Sequence, residues 1–206
     1  MPEPHAALLL DLDGTLVDSE SFHRDVYRSW FSARGWPVRE DLLAGFAGRR
    51  ADDVLATEPG PWAGEDVAAM TAELLAHVGT LPRPALAAGA AELVTTTRLP
   101  LGLVTSATID WARTCLGGLL DRFDVVITRD EVDNGKPHPE PYALATRSLG
   151  VPPAACVAVE DAPAGIASAI AAGIGLVVAV TGTFTASELA TAHRVVAGLD
   201  EVAPLL

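Results

Sequence analysis

The sequence predicts a doubly wound α/β fold: a parallel sheet with helices on both faces, interrupted by an α-helical insertion. Three observations predict it. Short apolar runs recur at residues 7–10, 101–104, 125–127, 156–159 and 176–180. They are rich in Val, Ile and Leu without polar alternation, which is how strands buried on both faces read. Helix-length segments separate them, as parallel pairing requires. Finally, the gap between the first two runs is roughly ninety residues, where a βαβ unit takes about thirty.

That gap places an insertion directly after the first strand. Residues 18–33 have helical spacing, with Phe22, Val26, Trp30 and Ala33 on one side and Asp18 or Ser19 as N-cap. Further helices are expected at 40–46, 51–57 and 65–78. The segments Glu58-Pro59-Gly60-Pro61 and Leu81-Pro82-Arg83-Pro84 break the pattern, the second marking the return to the sheet. The division is therefore a core of residues 1–15 and 82–206 and a helical cap of residues 16–81 on two hinge strands. Residues 164–180 approach the lower length limit for a membrane span, but Gly173 and Gly175 punctuate them, so they read as a helix followed by a buried strand.

Half of the 206 residues are apolar, enough to bury a core. The formal charge of -13 argues against nucleic-acid and acidic-membrane partners, which select basic surfaces. Cys115 and Cys156 sit among apolar neighbours with no CxxC pattern, so both read as reduced, buried thiols. Met1-Pro2-Glu3-Pro4-His5 lacks the basic flank of a signal peptide, which makes the cytoplasm the expected location. Trp30, Trp36, Trp62 and Trp111 read as packing residues rather than a ligand cage.

In open parallel sheets, ligands sit beyond the carboxyl ends of the strands, so polar residues after each run converge. The first run ends in Asp11 and Asp13, and the second in Thr105 and Ser106. The third leads into Gly135-Lys136-Pro137, and the fourth ends in Glu160 and Asp161. These residue types meet the needs of transfer from a phosphomonoester. Asp11 is the candidate nucleophile, and Asp13, two residues on and on the same side of an extended segment, the candidate general acid and base. Thr105 offers a hydroxyl, and Ser106 a backbone N–H, to a phosphoryl oxygen. Glu160, Asp161 and Asp11 form an oxygen-rich cluster that would repel a dianion unless a divalent cation joined it, and Mg²⁺ suits few carboxylates plus phosphate oxygens. Lys136 is the one lysine beside thirteen arginines, a compact charge placed to neutralise nucleophile and phosphate together.

Asp11-Leu12-Asp13-Gly14-Thr15, Leu103-Val104-Thr105-Ser106, Gly135-Lys136-Pro137 and Val159-Glu160-Asp161-Ala162-Pro163-Ala164-Gly165, in that order at strand ends, resemble the haloacid dehalogenase superfamily. The closest likeness is to its phosphatase and β-phosphoglucomutase-like branch with a small helical cap. The resemblance implies a Rossmann-like core and a cap that closes over substrate. It implies Mg²⁺ held by the Asp11 side chain, the Asp13 backbone carbonyl and Asp161, with Glu160 a ligand or a partner of the ligands. In the cap it points to His23 and to the Gly48-Arg49 element as substrate contacts. The activity implied is hydrolysis of a small phosphorylated metabolite, a sugar or polyol phosphate, through an aspartyl-phosphate. The alternatives are a sugar phosphomutase, which commonly has a cap lysine that this chain lacks, and a non-catalytic phosphate-accepting module.

Overall fold

The structure, a computed structural model, describes residues 5–46, 49–78 and 83–206. Strands β1 (Ala7–Leu10), β2 (Leu101–Val104), β3 (Val125–Ile127), β4 (Cys156–Glu160), β5 (Leu176–Val180) and β6 (Arg194–Val196) form one parallel sheet in the order β3-β2-β1-β4-β5-β6. The sheet order reverses direction at β1, so the crevice beyond the carboxyl end of β1 is flanked by the ends of β2 and β4. The two-residue alternation of each strand divides the core into two layers. Leu8, Leu10, Leu101, Leu103, Val157 and Val159 pack on one face with α5 (Ala90–Thr96) and α6 (Ile109–Leu116). Ala7, Leu9, Ala158, Val177 and Ala179 pack on the other with α7 (Glu140–Leu149) and α8 (Pro163–Ala171).

Between β1 and β2 lie α1 (Glu20–Ala33), α2 (Glu40–Ala44), α3 (Ala51–Thr57) and α4 (Val67–Val78). They share a third apolar cluster in which Trp30, Phe31, Phe46 and Met70 are buried. Trp36 and Trp62 also pack there, edge-on to Phe31. The insertion leaves and re-enters the sheet by adjacent chain segments: Asp18 N–H donates to Ala85 O and Ala87 N–H to Leu16 O, each at 2.9 Å.

Several element ends differ from the sequence expectation. Helix α1 starts at Glu20, after Ser19, while Asp18 belongs to the hinge pairing through its amide. Ser19 is its N-cap by position, yet the Ser19 hydroxyl makes no capping bond. Helix α2 stops at Ala44, before Gly45, and α4 begins at Val67 after Asp66 accepts from the Ala69 amide. Strand β4 runs one residue further than expected, through Glu160. Strand β6 was not anticipated: three residues at the sheet edge carry too little pattern. The expected core–cap boundary at 81/82 lies outside the described residues. Among the described residues no helix is long and apolar enough to cross a membrane.

Candidate active site

Beyond the carboxyl ends of β1 and β4 the chain buries an ammonium among carboxylates. Lys136, 2 % exposed, donates to Asp11 Oδ1 at 2.5 Å, Glu160 Oε1 at 2.6 Å and the Val104 carbonyl at 2.9 Å. All three donor hydrogens of the ammonium are thereby used. The Tyr142 hydroxyl, one turn into α7, donates to the same Glu160 oxygen at 2.6 Å. Asp161 accepts from the Thr183 hydroxyl through Oδ2, while its Oδ1 is buried without a partner.

Burial and the neighbouring Glu160 and Asp161 carboxylates push the Asp11 carboxyl well above its usual range, with Lys136 pulling the other way. Burial and Glu160 likewise raise Asp161, to about 7, against the Thr183 hydrogen bond and Lys136. Burial works against the Lys136 ammonium, but Asp11 and Glu160 outweigh it and raise its pKa. Three buried carboxyl groups thus share one ammonium, an excess of negative charge that a bound cation would offset.

Glycines make the crowding possible. Gly14 has φ +80°, and a Cβ there would meet the Asp161 carboxylate and the Thr183 hydroxyl. At Gly165, on the first turns of α8, a Cβ would occupy the space of the Glu160 carboxylate.

Ligand oxygens of Asp11, Glu160 and Asp161 lie within 4.8 Å of one another, close enough to share an ion. An all-oxygen donor set suits a hard cation, and the orphaned Asp161 Oδ1 is a buried acceptor that such an ion would satisfy. Glu160 Oε1 already takes two donors.

Asp13 stands at the mouth of this pocket. Its Oδ1 accepts from Trp111 Nε1 at 3.0 Å and lies 3.6 Å from His23 Nε2. A cavity of about 730 Å³ opens between the sheet and the inserted helices, lined by Asp11, Asp13, Thr105 and Ser106 below and by His23 and Arg49 above. Thr105 is buried, and its hydroxyl accepts from the Ala107 amide at 3.0 Å.

The seven strand-end residues expected from the sequence are therefore gathered at one end of the sheet. His23 lies beside Asp13 without bonding it, and Arg49 faces the cavity while pairing with Glu58 at 2.8 Å; Gly48 lies outside the described residues. Four contributors were not anticipated. Thr183 follows β5, so the strand-end rule extended to the fifth run would have found it. Tyr142 and Trp111 depend on how α7 and α6 are rotated against the sheet, which no local pattern reveals. The fourth is Arg50, which is buried and donates across from the insertion to the carbonyls of Arg129 and Val132 at 2.6 Å and of Asp133 at 3.3 Å.

A family model described as haloacid dehalogenase-like hydrolase matches residues 5–173. The chain is 40 % identical over 201 residues to validoxylamine A 7'-phosphate phosphatase of Streptomyces hygroscopicus subsp. limoneus, covering 94 % of each chain. It is 36 % identical over 174 residues to hexitol phosphatase A of Escherichia coli, covering 80 % of this chain and 78 % of that one. The crystal structure of CbbY from Rhodobacter sphaeroides in complex with phosphate superposes with a TM-score of 0.77 at 28 % identity, covering 97 % of this chain and 99 % of that chain. The chain belongs to the haloacid dehalogenase-like hydrolases, and it is a phosphatase of that family.

Proposed function

We propose that the protein hydrolyses a phosphorylated sugar or polyol, with Mg²⁺ as cofactor and an aspartyl-phosphate on Asp11 as intermediate. The observation that carries this reading is the Lys136 ammonium held between Asp11 and Glu160 beside the orphaned Asp161 oxygen. The substrate class rests on similarity to phosphatases named for validoxylamine A 7'-phosphate and for hexitols.

Asp11, the Asp13 backbone carbonyl and Asp161 are assigned to the ion, and Glu160 to holding Lys136 in place. Bound Mg²⁺ supplies charge that offsets the carboxylates and the phosphoryl oxygens. Asp11 attacks phosphorus; its Oδ–P bond forms as the P–O bond to the leaving group breaks, and Asp13 gives that oxygen a proton. Asp13 then removes a proton from water as the water attacks phosphorus, releasing inorganic phosphate and restoring Asp11. Lys136 and Thr105 face the charge gathering on the phosphoryl oxygens, the role in which preorganised donors lower a barrier most. We assign residues 16–81 as a cap whose closure excludes bulk water, with His23 and Arg49 on its substrate side. Two free thiols, Cys115 and Cys156, suit a reducing compartment such as the cytoplasm.

A panel of sugar and polyol phosphates assayed with and without Mg²⁺ tests the reading. Release of inorganic phosphate that chelation abolishes is expected. Conversion of a hexose 1-phosphate to its isomer without phosphate release would replace it with the mutase, which shares the first half-reaction. Stoichiometric labelling without turnover would favour a phosphate-accepting module.

A further inference from the structure

The nucleophile Asp11 is braced by Lys136, but its proton-handling neighbour Asp13 is held by a residue outside every signature described above. Among the described residues, the hydrogen-bond donor to the Asp13 carboxylate is the indole N–H of Trp111, at 3.0 Å. His23 Nε2, 3.6 Å from the same oxygen, stands beyond ordinary hydrogen-bond reach. The indole is itself held on both sides. Its backbone amide is bonded to Thr108, the N-cap of α6, a few residues after Thr105 and Ser106. Its ring stacks on Phe22 of α1, with centroids 5.0 Å apart and planes 24° from parallel. The element that presents Thr105 and Ser106 to the cavity thus also carries the group that aims Asp13, and it does so while touching the inserted helices.

We propose that Trp111 is a positioning residue for the general acid and base. An indole N–H only donates, so the Asp13 oxygen that accepts it is the acceptor member of the carboxyl group. The transferable proton then belongs on Oδ2. In the first half-reaction the proton passes from Oδ2 to the leaving oxygen while the Asp11 Oδ–P bond forms and the P–O bond breaks. In the second, Oδ2 takes a proton from the attacking water. A carboxyl group free to rotate would divide its proton between two oxygens and two directions, and misorientation of a catalytic group is costly to the rate. The inference rests on the assignment of Asp13 as acid and base.

The test compares two substrates of similar size under kcat/KM, which reports the first half-reaction alone. In p-nitrophenyl phosphate the leaving phenolate departs without a proton, whereas in p-nitrobenzyl phosphate the leaving alkoxide needs one. Asp13→Asn should lower kcat/KM for the benzyl ester by about 10² or more and affect the phenyl ester far less. Trp111→Phe, which keeps a ring on Phe22 and deletes the N–H, should lower the benzyl ester about tenfold, with a fall at least fivefold smaller for the phenyl ester. Replacing Trp111 by β-(3-benzothienyl)alanine removes only the N–H, and should reproduce the selective loss if the Phe variant folds poorly. Equal losses for both esters, or none for the benzyl ester, would reduce Trp111 to a packing residue while leaving Asp13 in its role. Absence of leaving-group selectivity in Asp13→Asn itself would overturn the Asp13 assignment and this inference with it.

Discussion

The Lys136 ammonium lies 2.5 Å from the Asp11 carboxylate although 125 positions separate them in sequence. Both are buried, and both also answer to Glu160: Lys136 binds it, and its charge raises the Asp11 carboxyl. A buried cation serving two carboxylates cannot be removed without leaving uncompensated charge. Lys136→Met, similar in length and uncharged, is expected to destabilise the fold by about 3–5 kcal/mol and to abolish turnover. Urea denaturation checks the first expectation, and added Mg²⁺ should recover part of the lost stability by occupying the acidic cluster. A variant as stable as the parent would show that the carboxylates are not charged together.

Stability should depend on pH in the opposite sense to an ordinary ion-paired carboxylate. In cation-free protein Asp161 titrates at about 7 against an ordinary value of 3.8, because of burial and Glu160. Between those values the folded state holds a proton that the unfolded chain has released, so stability falls as pH rises through the interval. The depressed carboxyls Asp41, Glu73, Glu140 and Glu188 act in the other direction, but below their ordinary values of 3.8 for Asp and 4.5 for Glu. Thermal melts of chelated protein from about pH 5 to about pH 8 should therefore show a decline that Asp161→Asn diminishes. Because a cation replaces the proton, the rise in Tm caused by Mg²⁺ should grow over the same interval. A Mg²⁺ effect that shrinks with pH would contradict the assignment of the cluster to the ion.

Asp11→Asn should lower hydrolysis by about 10⁴-fold or more while leaving the circular dichroism spectrum unchanged. With p-nitrophenyl phosphate, whose leaving group needs no proton, Asp13→Asn should instead let phosphoenzyme build up, since the water of the second half-reaction loses its base. Acid-quenched labelling from a ³²P substrate distinguishes them: none on the Asp11 variant, and more than on the parent for the Asp13 variant.

Arg50 ties the start of α3 to the carbonyls of Arg129, Val132 and Asp133, just before Gly135 and Lys136. A lysine has a shorter reach and a compact ammonium in place of the planar fork with which the guanidinium spans these carbonyls. Arg50→Lys should therefore destabilise nearly as much as Arg50→Ala, about 1–3 kcal/mol, chiefly from the buried Val132 carbonyl left without its donor. Hydrogen exchange should rise in residues 129–136 as well as at the start of α3. Exchange confined to α3 would show that the contact does not couple the two segments.

The sequence by itself determined the sheet and the catalytic end of it. Continuous apolar runs of three to five residues, rich in Val, Ile and Leu and separated by helix-length segments, read as strands buried on both faces, and parallel strands put their carboxyl ends together. Asp11, Asp13, Thr105, Ser106, Glu160 and Asp161 were therefore placed by local pattern and topology, and Lys136 by the loop that follows the third run. Only the tertiary structure decided which groups those residues lean on. Tyr142 on Glu160, Thr183 on Asp161, Trp111 on Asp13 and Arg50 on the loop before Lys136 are contacts between elements distant in sequence. Such contacts depend on the rotation of a helix about its axis and on the seating of the insertion against the sheet. Those quantities follow from how whole apolar faces interlock, and neighbouring residues along the chain carry no record of them.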